Sequence, residues 1–211
     1  MRARALLFDM DGTVLDSTPV VERLWKDLCR AEGIDADTVL PHIHGVRAID
    51  SIRRFFPPAA DHEALAAGLA ERETTELDGV VALPGAGEVL AMLPPGSVAL
   101  VTSATEPLMR ARMRAAGLPV PDVVVTAEQV AEGKPDPEGY LRAARLLGVD
   151  PEDAIVFEDA PAGLAAARSA GMRAVAIGDG GGPEADGLPR LENYRDLDVH
   201  VASDGTISLR F

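Results

Sequence analysis

Apolar residues follow two rhythms along this chain, and the switch between them divides it. Unbroken apolar runs occur at Ala5–Phe8, Val98–Val101, Val123–Val125, Ala154–Phe157 and Ala174–Ile177. These runs are short and do not alternate with polar residues, so each reads as a strand buried on both faces. The intervening segments have helical spacing and predict helices over Ala86–Leu93, Glu106–Ala116, Asp136–Leu147 and Ala162–Ala170. Strands alternating with helices in this way predict an α/β fold with a parallel sheet covered on both sides. Right-handed crossovers then bring the carboxyl ends of the strands to one edge, where open α/β sheets hold their ligands.

The other rhythm fills the region between the first strand and Leu83-Pro84-Gly85. Ser17-Thr18-Pro19 reads as a helix start with Ser or Thr as cap, and Val20, Val21, Leu24, Trp25 and Leu28 recur at helical spacing up to Gly33. Further helices are predicted over Asp37–His42, Val46–Phe55 and Asp61–Leu77. No parallel strand is expected there, so residues 16–83 read as an all-helical insertion in a core formed by 1–15 and 84–211. At the tail, Val199–Val201 and Thr206–Leu209 alternate around Asp204-Gly205 and predict a hairpin closing the sheet edge. Gly180-Gly181-Gly182-Pro183 reads as a linker.

Composition narrows the partners. A net charge of −14 argues against nucleic acid and anionic membrane surfaces, both of which need clustered Lys and Arg. Cys29 is the only cysteine, so a disulfide framework is excluded. The apolar run after Arg4 stops at Asp9, too early for a signal peptide, and no stretch reaches membrane-spanning length. The expectation is a cytoplasmic monomer acting on a small molecule.

Every predicted strand that ends on chemistry ends on acids or hydroxyls: Asp9 and Asp11, Thr102 and Ser103, Glu158 and Asp159. Residues i and i+2 of an extended backbone share a side, so Asp9 and Asp11 emerge together. Paired carboxylates resist desolvation unless a cation or a shared proton relieves them. An Asp-Gly turn alone would explain Asp11-Gly12, but not the convergence of three acidic or hydroxylated strand ends on one edge.

Asp9-Met10-Asp11-Gly12-Thr13-Val14-Leu15-Asp16-Ser17 resembles the first signature of the haloacid dehalogenase-like superfamily, DxDGTxxDS. The other signatures follow in order: Thr102 or Ser103 with Thr102 preferred, Lys134 in Gly133-Lys134-Pro135, and Glu158-Asp159. The resemblance implies a Rossmann-like core with a helical cap inserted after the first strand. It implies Asp9 as nucleophile and metal ligand, and Asp11 as general acid/base with its backbone carbonyl on the metal. It further implies Lys134 and a hydroxyl of Thr102 or Ser103 on the phosphoryl group, and Asp159 with Glu158 holding Mg²⁺. Only two lysines occur, Lys26 and Lys134, and the second stands where the motif requires it.

Within the superfamily the chain looks like the β-phosphoglucomutase-like branch, closest to its sugar phosphatases and glycerol-1-phosphatases. A small phosphorylated metabolite is therefore the expected substrate. Asp11 separates it from the dehalogenases, which lack the second Asp. The insertion has only Lys26, which fits poorly with the Schiff-base lysine of phosphonoacetaldehyde hydrolases. Pro19–Arg23 has no histidine, so mutase-type phosphoryl transfer is the alternative and not the first choice. A non-catalytic binding module on the same scaffold is the other alternative, and the presence of Asp9, Asp11 and Lys134 speaks against it. In the insertion, His42, His44, Gly45 and Arg47 resemble a His-Gly-x-Arg stretch of these phosphatases. The resemblance makes His44, Gly45 and Arg47 candidate substrate contacts.

Overall fold

In the computed structural model, which describes residues 1–211, the chain enters through β1 (Arg2–Ala3) and β2 (Ala5–Phe8). A short strand β3 (Leu15–Asp16) then leads into helices α1 (Thr18–Ala31), α2 (Ala36–Val39), α3 (Ala48–Phe55) and α4 (His62–Thr75). Strand β4 (Val81–Ala82) returns beside β3, with Leu15 opposite Ala82 and Asp16 opposite Val81. The pattern then alternates: α5 (Ala86–Met92), β5 (Val98–Val101), α6 (Glu106–Ala115), β6 (Val123–Val125), α7 (Glu138–Leu147), β7 (Ala154–Glu158), α8 (Pro161–Ser169) and β8 (Arg173–Ile177). It closes with β9 (Arg190–Leu191), β10 (Asp198–Val201) and β11 (Ile207–Arg210).

Six of these strands form one parallel sheet in the order β6-β5-β2-β7-β8-β9. The unbroken apolar runs are explained by its two covered faces. In β2, Leu6 and Phe8 join a cluster of 37 buried residues that continues into the insertion, including Leu24, Trp25 and Ile52. Ala5 and Leu7 point the other way, into a cluster of 18 buried residues rich in alanine beneath α7 and α8. Each Leu or Phe removed from water in these layers contributes roughly 1.5–3 kcal/mol. Phe8 and Phe157 stack at 4.7 Å between ring centres, fixing the ends of β2 and β7 together.

Three expectations are corrected. The tail hairpin forms, but it does not close the edge of the parallel sheet. It pairs with β1 in a separate antiparallel sheet, β1-β11-β10, while β9 takes the edge beside β8. The reason lies in the N-terminus, whose Arg2–Ala3 offers an unpaired strand edge one residue before β2. Helix α3 starts at Ala48, not Val46, because Arg47 has extended backbone angles. Ser17 precedes α1 but makes no cap hydrogen bond to it. Its hydroxyl donates to Asp11 Oδ1 at 2.6 Å instead, and Asp16 Oδ1 accepts from the Thr18 N–H. Gly182–Ala185, which begins at the last glycine of the run, forms one 3₁₀ turn packed on α8.

Candidate active site

The carboxyl edge of the sheet collects the acidic groups because β2 and β7 are neighbours in register, Phe8 against Phe157. The next residue of each chain segment is an acid: Asp9 after β2, with its N–H on the Phe157 carbonyl, and Glu158 at the end of β7. The chain after Asp9 curls at once, the Met10 carbonyl accepting from the N–H groups of Thr13, Val14 and Leu15. Gly12 makes the curl with φ +81°, and a Cβ there would lie 2.1 Å from Asp159 Oδ2. Glycine is required on both grounds. Gly163, in the first turn of α8, is required by contact alone: its Cβ would lie 1.8 Å from Glu158 Oε2.

Lys134 is the cation of this cluster. Its ammonium donates to Asp9 Oδ1 at 2.5 Å, Glu158 Oε2 at 2.8 Å and the Val101 carbonyl at 3.2 Å. Burial opposes a charged lysine, but the Asp9 and Glu158 carboxylates outweigh it and hold the proton above the ordinary lysine range. Glu158 is wholly buried and fully subscribed. Oε2 also accepts from Tyr140 at 2.5 Å, and Oε1 accepts from the N–H groups of Asp159 and Ala160. Burial first, and the Glu158 charge second, push the Asp9 carboxyl well above its usual value and Asp159 up to about 8. Thr13 donates to Asp159 Oδ1 at 3.0 Å and partly offsets this.

Asp9, Glu158 and Asp159 each offer an oxygen within 4.8 Å of the others. Three carboxylates against one ammonium leave a formal charge of −2 when all are ionised, and the donors are all hard oxygens. That set fits a small divalent cation such as Mg²⁺. Because both Glu158 oxygens already accept two donors, Asp9 and Asp159 have the freer lone pairs. The Asp11 side chain is not in this cluster. It is held by Ser17 and by Arg112 Nη1, 3.0 Å from Oδ2.

A cavity of about 390 Å³ opens above Asp9 and Asp11, walled by the core on one side and the helical insertion on the other. Thr102 and Ser103 both border it, but differently. Thr102 Oγ1 accepts from the Ala104 N–H, whereas the Ser103 hydroxyl donates to the Gly45 carbonyl of the insertion at 3.0 Å. His44 lines the same cavity. Arg47 reaches it too, yet its guanidinium is engaged elsewhere: Nε and Nη2 donate to Asp50, and Nη1 donates to the Ala131 carbonyl of the core at 3.0 Å. Ser103 and Arg47 thus tie the insertion to two separate loops of the core.

Sequence reasoning missed Arg112 and Glu73. Arg112 shares the buried face of α6 with Leu108, Met109 and Met113, and Glu73 lies four residues beyond buried Leu69 on α4. A charge placed on an apolar stripe was the available signal. Tyr140, which donates to Glu158, was missed as well; nothing in its helix marks it out from a core tyrosine.

A parallel sheet with this carboxylate–lysine centre at its ligand-binding edge makes the chain an α/β protein of the Rossmann-like type. More closely, the chain belongs to the haloacid dehalogenase-like hydrolases, whose family model matches residues 3–171. Over 212 aligned residues it is 43% identical to hexitol phosphatase A of Escherichia coli, covering 99% of this chain and 95% of that one. It is 34% identical to glycerol-1-phosphate phosphohydrolase 2 of Saccharomyces cerevisiae, covering 84% of this chain and 75% of the relative. Among solved structures, CbbY from Rhodobacter sphaeroides in complex with phosphate superposes with a TM-score of 0.76 at 25% identity, covering 92% and 96% of the two chains. No helix is long and apolar enough to cross a membrane.

Proposed function

We propose that this protein is a Mg²⁺-dependent phosphatase of sugar or polyol phosphates, working through an aspartyl-phosphate on Asp9. The observation that carries the reading is the buried Lys134 bridge between Asp9 and Glu158, with Asp9 itself bordering the cavity between core and insertion. The full-length likeness to a hexitol phosphatase supports the substrate class.

Lys134 fixes Asp9 through Oδ1, and no protein group donates to the other oxygen, which is left to attack phosphorus. The ester P–O bond breaks as the Asp9–phosphorus bond forms, and Asp11 gives its proton to the departing alkoxide. Asp11 then takes a proton from water, which attacks the same phosphorus, releases phosphate and restores the Asp9 carboxylate. Thr102, with its hydroxyl proton uncommitted, is the better placed of the two hydroxyls to donate to the phosphoryl oxygens, since Ser103 is occupied by Gly45. Asp9, Asp159 and the Asp11 backbone carbonyl, with Glu158 beside them, would hold the cation, which when bound offsets the charge of an anion approaching a phosphate dianion. The insertion serves as a cap that keeps bulk water from the intermediate. Residues 16–83 are the cap and 1–15 with 84–211 the core in this reading.

Asp9→Asn is the test. The variant should keep the wild-type circular dichroism spectrum and release no measurable phosphate from hexitol phosphates or p-nitrophenyl phosphate with Mg²⁺. Retained turnover would remove Asp9 as nucleophile.

A further inference from the structure

Arg112 of α6 is 4% exposed and stands between two carboxylates from different parts of the molecule. Its Nη1 lies 3.0 Å from Asp11 Oδ2, and its Nη2 lies 3.2 Å from Oε1 of Glu73, on α4 of the insertion. Glu73 is itself 7% exposed, and all three residues border the cavity above Asp9. Nε and Nη2 are sealed from solvent without an aligned hydrogen-bond acceptor. The guanidinium is therefore held by charge more than by directed bonds, which makes one anionic partner exchangeable for another. Burial pushes the Glu73 carboxyl up and the Arg112 charge opposes it, the behaviour of an acid that depends on this one cation.

A buried guanidinium left without a counter-ion is strongly unfavourable. To reach a leaving oxygen, Asp11 must give up Arg112, and it does so cheaply only if another anion remains. Glu73 is that anion, and it is present only while α4 lies against α6. Without the Glu73 charge, Asp11 is the sole carboxylate against Arg112 and is held where it is.

We propose that Glu73 is a positioning residue: by sharing Arg112 with Asp11, as it does here with the insertion seated on the core, it lowers the cost of Asp11 leaving that ion pair for proton transfer. The inference rests on the Asp11 role given under Proposed function.

The test is Glu73→Gln, which keeps the shape and removes the charge, assayed with p-nitrophenyl phosphate and Mg²⁺ in the full chain. p-Nitrophenolate departs with little protonation, so phosphorylation of Asp9 survives while the water step, which needs Asp11, slows. The expected result is a kcat reduced on the order of 10-fold to 100-fold, part of the ~10²–10⁴-fold that general acid–base catalysis supplies. kcat/KM should change much less, and rapid mixing should give a p-nitrophenolate burst approaching one equivalent of enzyme. In the double variant Glu73→Met/Arg112→Met, where an apolar pair replaces the ionic one, Asp11 is unhindered and most of the lost kcat should return. That variant also decides the matter if Glu73→Gln folds poorly, because replacing both partners of a buried pair is tolerated far better than breaking it. An unchanged kcat in Glu73→Gln, a reduced kcat with no burst, or a double variant no faster than the single would overturn the proposal. These outcomes are distinct from failure of the underlying reading of Asp11, which would show as p-nitrophenyl phosphate turnover that survives Asp11→Asn.

Discussion

Asp159→Asn removes an ionisable carboxyl whose energetic consequence follows from the geometry around it. Burial and the adjacent Glu158 raise the Asp159 carboxyl from 3.8 to about 8. In the unfolded chain the same group ionises near 3.8. Between those values the folded chain keeps a proton that the unfolded chain has lost. With more protons bound in the native state, stability falls as pH rises through that interval. The difference at its upper end is on the order of 5 kcal/mol. Asp9, raised chiefly by the same burial, adds to the slope. A divalent cation takes the proton's place, so Mg²⁺ should stabilise strongly near pH 8 and weakly near pH 5, with a gain of about 2.7 kcal/mol at ~100 times its Kd. Urea unfolding followed by circular dichroism, on metal-stripped and Mg²⁺-loaded protein at both pH values, measures all four stabilities. In Asp159→Asn the downward slope should flatten and most of the Mg²⁺ response should vanish. Parallel slopes for the two proteins, or an equal Mg²⁺ effect at both pH values, would refute the account of this cluster.

Lys134→Met removes the one cation among three carboxyl groups and should cost about 3–5 kcal/mol in urea unfolding above about pH 8, where Asp159 is ionised. That loss should shrink as the carboxyls protonate at lower pH, and a loss below about 1 kcal/mol would contradict the charge balance described above. Arg47→Ala should raise KM for the best hexitol or sugar phosphate far more than for p-nitrophenyl phosphate, because the larger substrate depends on the insertion being seated. Equal changes in both KM values would mean that the tie from Arg47 to Asp50 and Ala131 serves folding only.

The parallel sheet was legible because its strands are buried on both sides and so appear as bare apolar runs, such as Ala154–Phe157. The acidic cluster was legible because those runs end where the ligand edge of the sheet lies. What escaped were features that depend on pairing at a distance. The β3–β4 ladder is two residues long on each side and carries no alternation to read. Arg2–Ala3 becomes a strand only because the tail comes to lie beside it. Ser17 looks like a helix cap in any local reading, and only the position of Asp11 draws its hydroxyl away. Arg47 was a candidate substrate contact by resemblance, and its engagement with the Ala131 carbonyl across 84 residues has no local signature. Arg112 and Glu73 needed the packing of α4 on α6 before their charges could be seen to meet.

The outgoing and returning segments of the insertion run side by side at Leu15–Asp16 and Val81–Ala82, one strand spacing of about 5 Å apart. A foreign helical segment with its ends at that separation could be spliced into this chain without disturbing the register of Asp9. The splice would have to bring its own acid to the place of Glu73, or Arg112 would be left with Asp11 as its one carboxylate.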